Sequence, residues 1–154
     1  MARTKSRCST PLFESLYFQI SSAKRAYAYG IEHGSFEPRP RPATYERESV
    51  VVSGSIRHVF RKPVACCEIK LAGEAALEPK GDSVQRSIGY VEFAKDTLRA
   101  YVSLPVATFR ALAPDLTSGQ FKEVSLRLIE LKRGTALIDC IRFESDLTPS
   151  DDLG

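Results

Sequence analysis

The feature that most constrains the fold is a period-two alternation of apolar and polar residues, which begins at Val50 and recurs almost to the end of the chain. Successive side chains on a β-strand point to opposite faces, so this period predicts strands that bury one face. The pattern is clearest in the segment 98–104, where the residues expected to face inward are Leu98, Ala100, Val102 and Leu104. The sequence therefore predicts a mainly β protein.

Short polar connections divide these strands into three hairpins, with turns at 61–63, 95–97 and 132–134. Pro63 cannot donate a hydrogen bond to a strand ladder, which suits a turn or the first position of a strand. In the last hairpin we expect Leu137, Ile141 and Phe143 to face inward. The period slips at 129–131, which predicts either a bulge or a strand that is covered on both sides.

The segment 105–118 departs from the period of two. Its apolar residues recur at intervals of three and four, which is typical of one face of an amphipathic helix; they are Val106, Phe109, Leu112 and Leu116. Pro105 suits the first helical turn, and Gly119 can adopt the left-handed conformation that ends a helix. We therefore predict an antiparallel β-sandwich or partly open barrel of about seven strands, with one inserted α-helix near 105–118.

The chain of 154 residues is the size of one domain. We predict a flexible basic tail at 1–11, a single β-rich domain at 12–144 and an acidic tail at 145–154. Within the domain, 12–47 forms an aromatic and basic arm or covering segment, and 48–144 forms the hairpin framework. Residues 1–47 carry a formal charge of +4, whereas the remainder carries −1. A basic end of this kind suits an anionic partner, or contact with the acidic end.

The N-terminal third contains the candidate binding residues. If the segment 24–30 is a strand, then Arg25, Tyr27 and Tyr29 share one face, and Lys24 lies beside them in sequence. The alternating prolines of 38–42 predict an extended arm that carries Arg39 and Arg41. Cations for phosphates and aromatic rings for bases are what a single-stranded nucleic-acid site requires. The same residues are also compatible with rings that pack at the rim of the core.

Catalytic and metal-binding patterns are absent from the sequence. The four cysteines have no zinc-ligand spacing, so we predict no metal or cofactor and interpret the cysteines as small buried residues in a reducing cytoplasm. His33, between two glycines, is the best available general base, but no nucleophile or metal motif accompanies it, and we assign no catalytic residue. No apolar run approaches the length of about 18 residues that a membrane span needs.

These observations favour a non-enzymatic cytoplasmic module that acts through protein–protein contacts, either as a homo-oligomer or as a subunit of a larger complex. The alternative is a single-stranded nucleic-acid-binding β-barrel that uses the basic and aromatic N-terminal segment. A second alternative is a small enzyme with His33 as its base. Salt dependence distinguishes the first two, because phosphate contacts weaken steeply as salt rises.

Overall fold

The computed structural model describes residues 14–31, 44–57, 64–74 and 87–153. Within these ranges it contains seven strands, one α-helix and a short 3₁₀ helix. In chain order they are β1 (Glu14–Ile31), β2 (Thr44–Ile56), β3 (Cys66–Glu74), β4 (Gly89–Ala94), β5 (Thr97–Pro105), α1 (Val106–Thr117), β6 (Glu123–Lys132), β7 (Thr135–Glu144) and the 3₁₀ helix Ser150–Asp152. The prediction of a mainly β fold with about seven strands and one inserted helix is confirmed.

The strands form a closed barrel in the order β1-β2-β3-β5-β4-β7-β6. Every neighbouring pair is antiparallel except β3 and β5, which run parallel from Cys66 opposite Thr97 to Glu74 opposite Pro105. The expectation that all pairs are antiparallel is therefore wrong at this one place. The hairpin of β4 and β5 inserts with β5 next to β3, so that β4 pairs with β7 instead.

The barrel interior is a single apolar core. The four inward residues predicted for β5 are all buried, and the inward side of β3 is buried at Cys67, Ile69 and Leu71. The prediction for Leu137 is wrong, because its neighbours Ala136 and Ile138 are buried instead. A register shift in the pairing of β6 with β7 then changes the phase, which is why the pattern read back from Ile141 misplaces Leu137 by one residue.

The phase slip predicted at 129–131 is present as a second shift in the same pairing, between Ile129 and Lys132. Glu130 has a φ of 52° there, a left-handed conformation that few residues other than glycine adopt. The sequence left open either a bulge or a strand covered on both sides, and the structure contains a break in the register of the bulge type at this point.

Helix α1 closes one end of the barrel. Its buried residues Phe109, Ala113 and Leu116 face the core, and the helix contacts β1, β3 and β5. Phe109 packs directly on Gly73, where an added Cβ would lie 3.2 Å from the ring. Gly119 has a φ of 81°, as predicted for the residue that ends the helix. No helix in the described ranges is long and apolar enough to cross a membrane.

Candidate functional site

Strand β1 has two parts with different roles. Its first part pairs with β6 from Glu14 to Gln19 and closes the barrel wall, and Leu16 and Phe18 are fully buried there. From residue 21 onward β1 pairs only with β2 among the described residues. In the part of the chain that the structure describes, β2 pairs with β3 only from Ser49 onward. Residues 27–31 and 44–48 therefore form a two-stranded ribbon, here called the arm, that extends about 17 Å at the usual rise per residue.

A bulge at Ser21 marks the boundary between the wall and the open part of β1. Ile20 lies opposite Gly54 and Ser22 opposite Ser53, so Ser21 is the extra residue. Its Oγ donates a hydrogen bond to the carbonyl oxygen of Ser53 at 2.9 Å. The added residue exchanges the two faces of β1. Before the bulge the even-numbered residues lie on the inward face, and after it the odd-numbered residues lie on the continuation of that face, which is the side of helix α1.

The helix-side face of the arm presents large apolar side chains to solvent. Tyr27 is 60% exposed, Tyr29 is 67% exposed and Ile31 is 49% exposed. The opposite face of the same strand carries small residues, Ala28 and Gly30. On β2 the same opposite face carries exposed Arg47, the cross-strand partner of Ala28. The arm therefore has one aromatic face and one face on which small residues of β1 lie beside a cation.

Carboxylates lie beside both tyrosines. Glu48 is the cross-strand partner of Tyr27, and Glu46 is the partner of Tyr29. The pKa of Tyr27 is raised by partial desolvation, by the negative charge of Glu46 and by the hydrogen bond that the phenol donates to that carboxylate. The helix-side face of the arm is thus mixed in charge rather than uniformly cationic.

Arg110 joins helix α1 to the arm. Nε of Arg110 donates to Oε2 of Glu48 at 3.2 Å, and Nη2 of Arg110 lies 3.7 Å from Oε1 of Glu46. The guanidinium therefore bridges the two acidic residues of β2, and the arm is held against the helix-capped end of the barrel.

The sequence-predicted binding residues are only partly brought together. Arg25, Tyr27 and Tyr29 do share the helix-side face, whereas Lys24 lies on the opposite face, across from Val51. Arg39, Arg41 and the candidate base His33 fall outside the described residues. The sequence did not indicate Arg110 or Ile31 as part of this surface, since Arg110 belongs to another element and Ile31 lies beyond the tyrosines. Ile31 could have been predicted by continuing the period of two along β1 from Tyr27 and Tyr29.

A second candidate is a polar cleft of about 530 Å³ on the outer wall, where β1, β6 and β7 meet the C-terminal segment. Its lining includes Glu123, which is fully buried. Oε2 of Glu123 accepts hydrogen bonds from Nη1 of Arg57 at 2.6 Å and from the backbone N–H of Thr148 at 3.1 Å, and Oε1 accepts one from the Thr148 hydroxyl. Nη1 of Arg57 also donates to the carbonyl of Thr148 at 2.6 Å.

These contacts fasten the C-terminal segment to the barrel. Burial by itself raises the pKa of Glu123, but the hydrogen bonds from Thr148 and Arg57 outweigh it, and the pKa lies below its ordinary value. Because the hydrogen bonds from Arg57 and Thr148 occupy both oxygens of this carboxylate, its role is to hold the structure together rather than to bind a substrate. The part of the chain predicted as an acidic tail, 145–154, is therefore anchored at Thr148.

The described cysteines differ from one another in exposure, and Cys8 lies outside the described residues. Cys67 is buried, Cys66 is exposed and Cys140 is half-buried, so the interpretation of the cysteines as buried residues is wrong for Cys66. The two neighbours point to opposite faces of β3, as adjacent strand residues must. Within the described ranges, no group of three or more His, Cys, Asp or Glu side chains is placed to hold a metal ion.

Comparison with known proteins gives no match: no family model matches the chain, and no curated protein or solved structure is significantly similar to it. The fold and the arm are therefore the basis for the functional proposal.

Proposed function

We propose that the protein is a non-enzymatic, cytoplasmic binding or assembly module that makes protein–protein contacts through the arm. The observation that carries this proposal is the open edge of β1. Along residues 21–31 this strand has no strand partner other than β2 among the described residues, and its helix-side face carries exposed Tyr27, Tyr29 and Ile31.

An open strand edge presents unpaired N–H and C=O groups that another strand can join. Natural proteins protect such edges with prolines, charged residues or a covering element. Residues 21–31 contain no proline, and their only charged residues are Lys24 and Arg25. A ribbon of two strands is also marginally stable by itself, so added strand pairing would stabilise it.

The side chains support a protein partner over a nucleic acid. Tyrosine is enriched at protein interfaces because it offers a large apolar ring and a polar tip. A single-stranded nucleic-acid site instead combines rings with a positively charged groove. Here Glu46 and Glu48 lie beside the rings, and they would repel phosphates.

Site-specific photo-crosslinking in the cells that produce the protein tests the proposal. A photoreactive phenylalanine analogue replaces Tyr29 in one variant. In the matched control it replaces Tyr90, which is 44% exposed on the barrel wall. We expect a discrete crosslinked protein adduct at position 29 and none at position 90. Equal adducts at both positions, or none at position 29, would refute a role of the arm in binding proteins.

A further inference from the structure

We propose that the open edge of β1, residues 21–31, binds a second copy of this chain, with the two edges paired antiparallel about a two-fold axis at Ala26. This inference rests on the proposed function and names the partner of the same site. Two barrels would then share one sheet, in the order β2-β1-β1-β2 across the axis. Such an interface is isologous, which is the commonest arrangement in homodimers.

The extent of the open edge sets the position of the axis. Among the described residues, the last backbone hydrogen bond of β1 on the β6 side runs from the N–H of Ile20 to the carbonyl of Lys122 at 2.9 Å, and the strand ends at Ile31. The open edge is therefore 21–31, and its midpoint is Ala26. Antiparallel pairing that uses the whole edge places Arg25 opposite Tyr27 of the second copy.

Charge along the helix-side face makes this edge complementary to itself in the antiparallel direction. The barrel end of the edge carries Arg25, which has no ion pair with any described residue. The outer end carries Tyr27 and Tyr29, with Glu48 and Glu46 beside them. Arg110 pairs with both carboxylates, which leaves this end with one net negative charge. A two-fold rotation brings the cation of one copy onto the aromatic and acidic end of the other. Parallel pairing in register would instead oppose Arg25 to itself.

The opposite face of the edge permits the close approach of two strands. Across the axis Ala26 meets Ala26 of the second copy, and Lys24 meets Ala28. Neither pair places two bulky or two like-charged side chains directly opposite each other, although Arg47 of β2 flanks Ala28 on this face and lies one strand further from Lys24 of the second copy. Antiparallel pairing also leaves the two barrels at opposite ends of the shared ribbon, because the wall portion of each β1 precedes residue 21.

Light scattering and sedimentation velocity on the purified full chain, over concentrations up to about 100 µM, are the first test. We expect a species of twice the 17.1 kDa chain mass. Arg25→Glu adds a negative charge beside Glu48 of the partner copy, and Tyr27→Lys opposes two cations. Each should weaken dimerisation about tenfold or more, since like charges placed across an interface cost several kcal/mol.

Mixing the two variants tests the antiparallel arrangement directly. In the mixed dimer the carboxylate introduced at position 25 faces the ammonium introduced at position 27, and the other Arg25–Tyr27 contact is native. We expect the mixture to dimerise at least about tenfold more tightly than either variant alone. Lys132→Glu is the matched control. It reverses an exposed charge that lies beyond Glu14, at the end of β1 that is far from the arm. It should dimerise like the wild type.

A monomeric wild type overturns the inference. So does a mixture that gains nothing over its components, or a loss of dimer in the Lys132→Glu control. The proposed function is judged separately by the mass of the adduct at position 29. If the adduct is heavier or lighter than two chains and the purified protein is monomeric, the arm binds another protein and the self-pairing of β1 is rejected. An adduct of two chains supports both.

Discussion

Arg110 on helix α1 and Glu48 on β2 are joined by a hydrogen bond of 3.2 Å, and the same guanidinium lies 3.7 Å from Glu46. This contact links the element that closes the barrel to the ribbon that leaves it. The Arg110 side chain is 55% exposed and the Glu48 side chain 15% exposed, so the ion pair lies at the surface and outside the apolar core. Its effect is therefore on the position of the arm more than on the stability of the barrel.

Replacing Arg110 by alanine should loosen the arm and leave the barrel intact. An exposed ion pair contributes about 0–1 kcal/mol, so we expect the free energy of unfolding to fall by less than about 1 kcal/mol. Amide hydrogen exchange in 27–31 and 44–48 should accelerate up to about fivefold, since 1 kcal/mol corresponds to that factor. Hydrogen-exchange mass spectrometry measures both segments and the barrel in one experiment.

Arg127→Ala is the matched control for this change. Arg127 is 49% exposed and lies 2.7 Å from Asp139 on the barrel wall, so its removal breaks a comparable ion pair elsewhere. Faster exchange in the arm of this control, or unchanged exchange in the arm of Arg110→Ala, would contradict a specific role of Arg110.

Glu123 should be the polar residue whose loss destabilises the barrel most. Its carboxylate is fully buried and paired with Arg57 at 2.6 Å. Glu123→Gln removes the negative charge and leaves Arg57 without a counterion, which costs about 3–5 kcal/mol for a buried pair. Urea denaturation at neutral pH measures this loss. Glu144→Gln, at an exposed position of β7, should change the stability by less than about 0.5 kcal/mol.

The same carboxylate predicts how stability depends on pH. Because folding lowers the pKa of Glu123, its contribution is fully present above the ordinary glutamate pKa of about 4.3 and is lost as pH falls through the lower folded value. The gap in unfolding free energy between wild type and Glu123→Gln should therefore narrow below about pH 4. A gap that stays constant from pH 7 to pH 3 would show that the charge of Glu123 contributes nothing.

The strand faces and the helix follow from local sequence pattern, which is why they could be predicted. The inward residues of β5 and the bounds of α1 depend only on a period of two or of 3.6 within a few residues. The register slip near Ile129 was also visible, because it breaks that period in place. Each of these features depends on the neighbours of a residue in sequence.

The features that could not be predicted from the sequence depend on contacts between distant segments. The parallel pairing of β3 with β5 is set by where the β4–β5 hairpin inserts, and nothing local marks it. Arg110 joins the arm surface only because helix α1 folds back over the end of the barrel. The prediction that Arg25, Tyr27 and Tyr29 share one face was correct because all three lie beyond the bulge at Ser21, where β1 keeps a regular register.

The adjacent cysteines should differ sharply in reactivity. Burial raises the pKa of the Cys67 thiol to about 12, with a further contribution from the charge of Glu68. The thiolate, the reactive form, is therefore scarce at pH 8, and only 3% of the residue is exposed. Alkylation followed by mass spectrometry should modify Cys66 and spare Cys67 in the folded protein. Both should react in urea; equal labelling in the native protein would contradict the buried position of Cys67.

Single-stranded oligonucleotides should not be retained by the protein. Within the described residues, the helix-side face of the arm and its α1 contact combine Arg25 and Arg110 with Glu46 and Glu48, so the charges balance. A gel shift at low and moderate salt is the measurement, because phosphate contacts are strongest at low salt. Retention that disappears at higher salt and in Arg25→Ala would instead favour the nucleic-acid alternative.

Removing residues 1–47 should prevent the remainder from folding by itself. The deletion takes away Leu16 and Phe18, both fully buried, and leaves β2 and β6 without the strand between them. Truncating two such side chains costs about 5–10 kcal/mol, which is similar to the whole stability of a small domain. Circular dichroism and thermal unfolding should show no cooperative transition. A folded fragment of 48–154 would mean that the hairpin framework is independent of β1.

A shorter deletion separates the arm from the wall. Tyr27 and Glu48 are cross-strand partners, so they can be joined by an Asn-Gly turn that replaces residues 28–47. This variant keeps the buried part of β1 and removes most of the arm. We expect a cooperative transition within a few degrees of the wild type, together with loss of the dimer. Were this variant also unfolded, the arm would belong to the core, and neither its role in binding nor the self-pairing of β1 could stand.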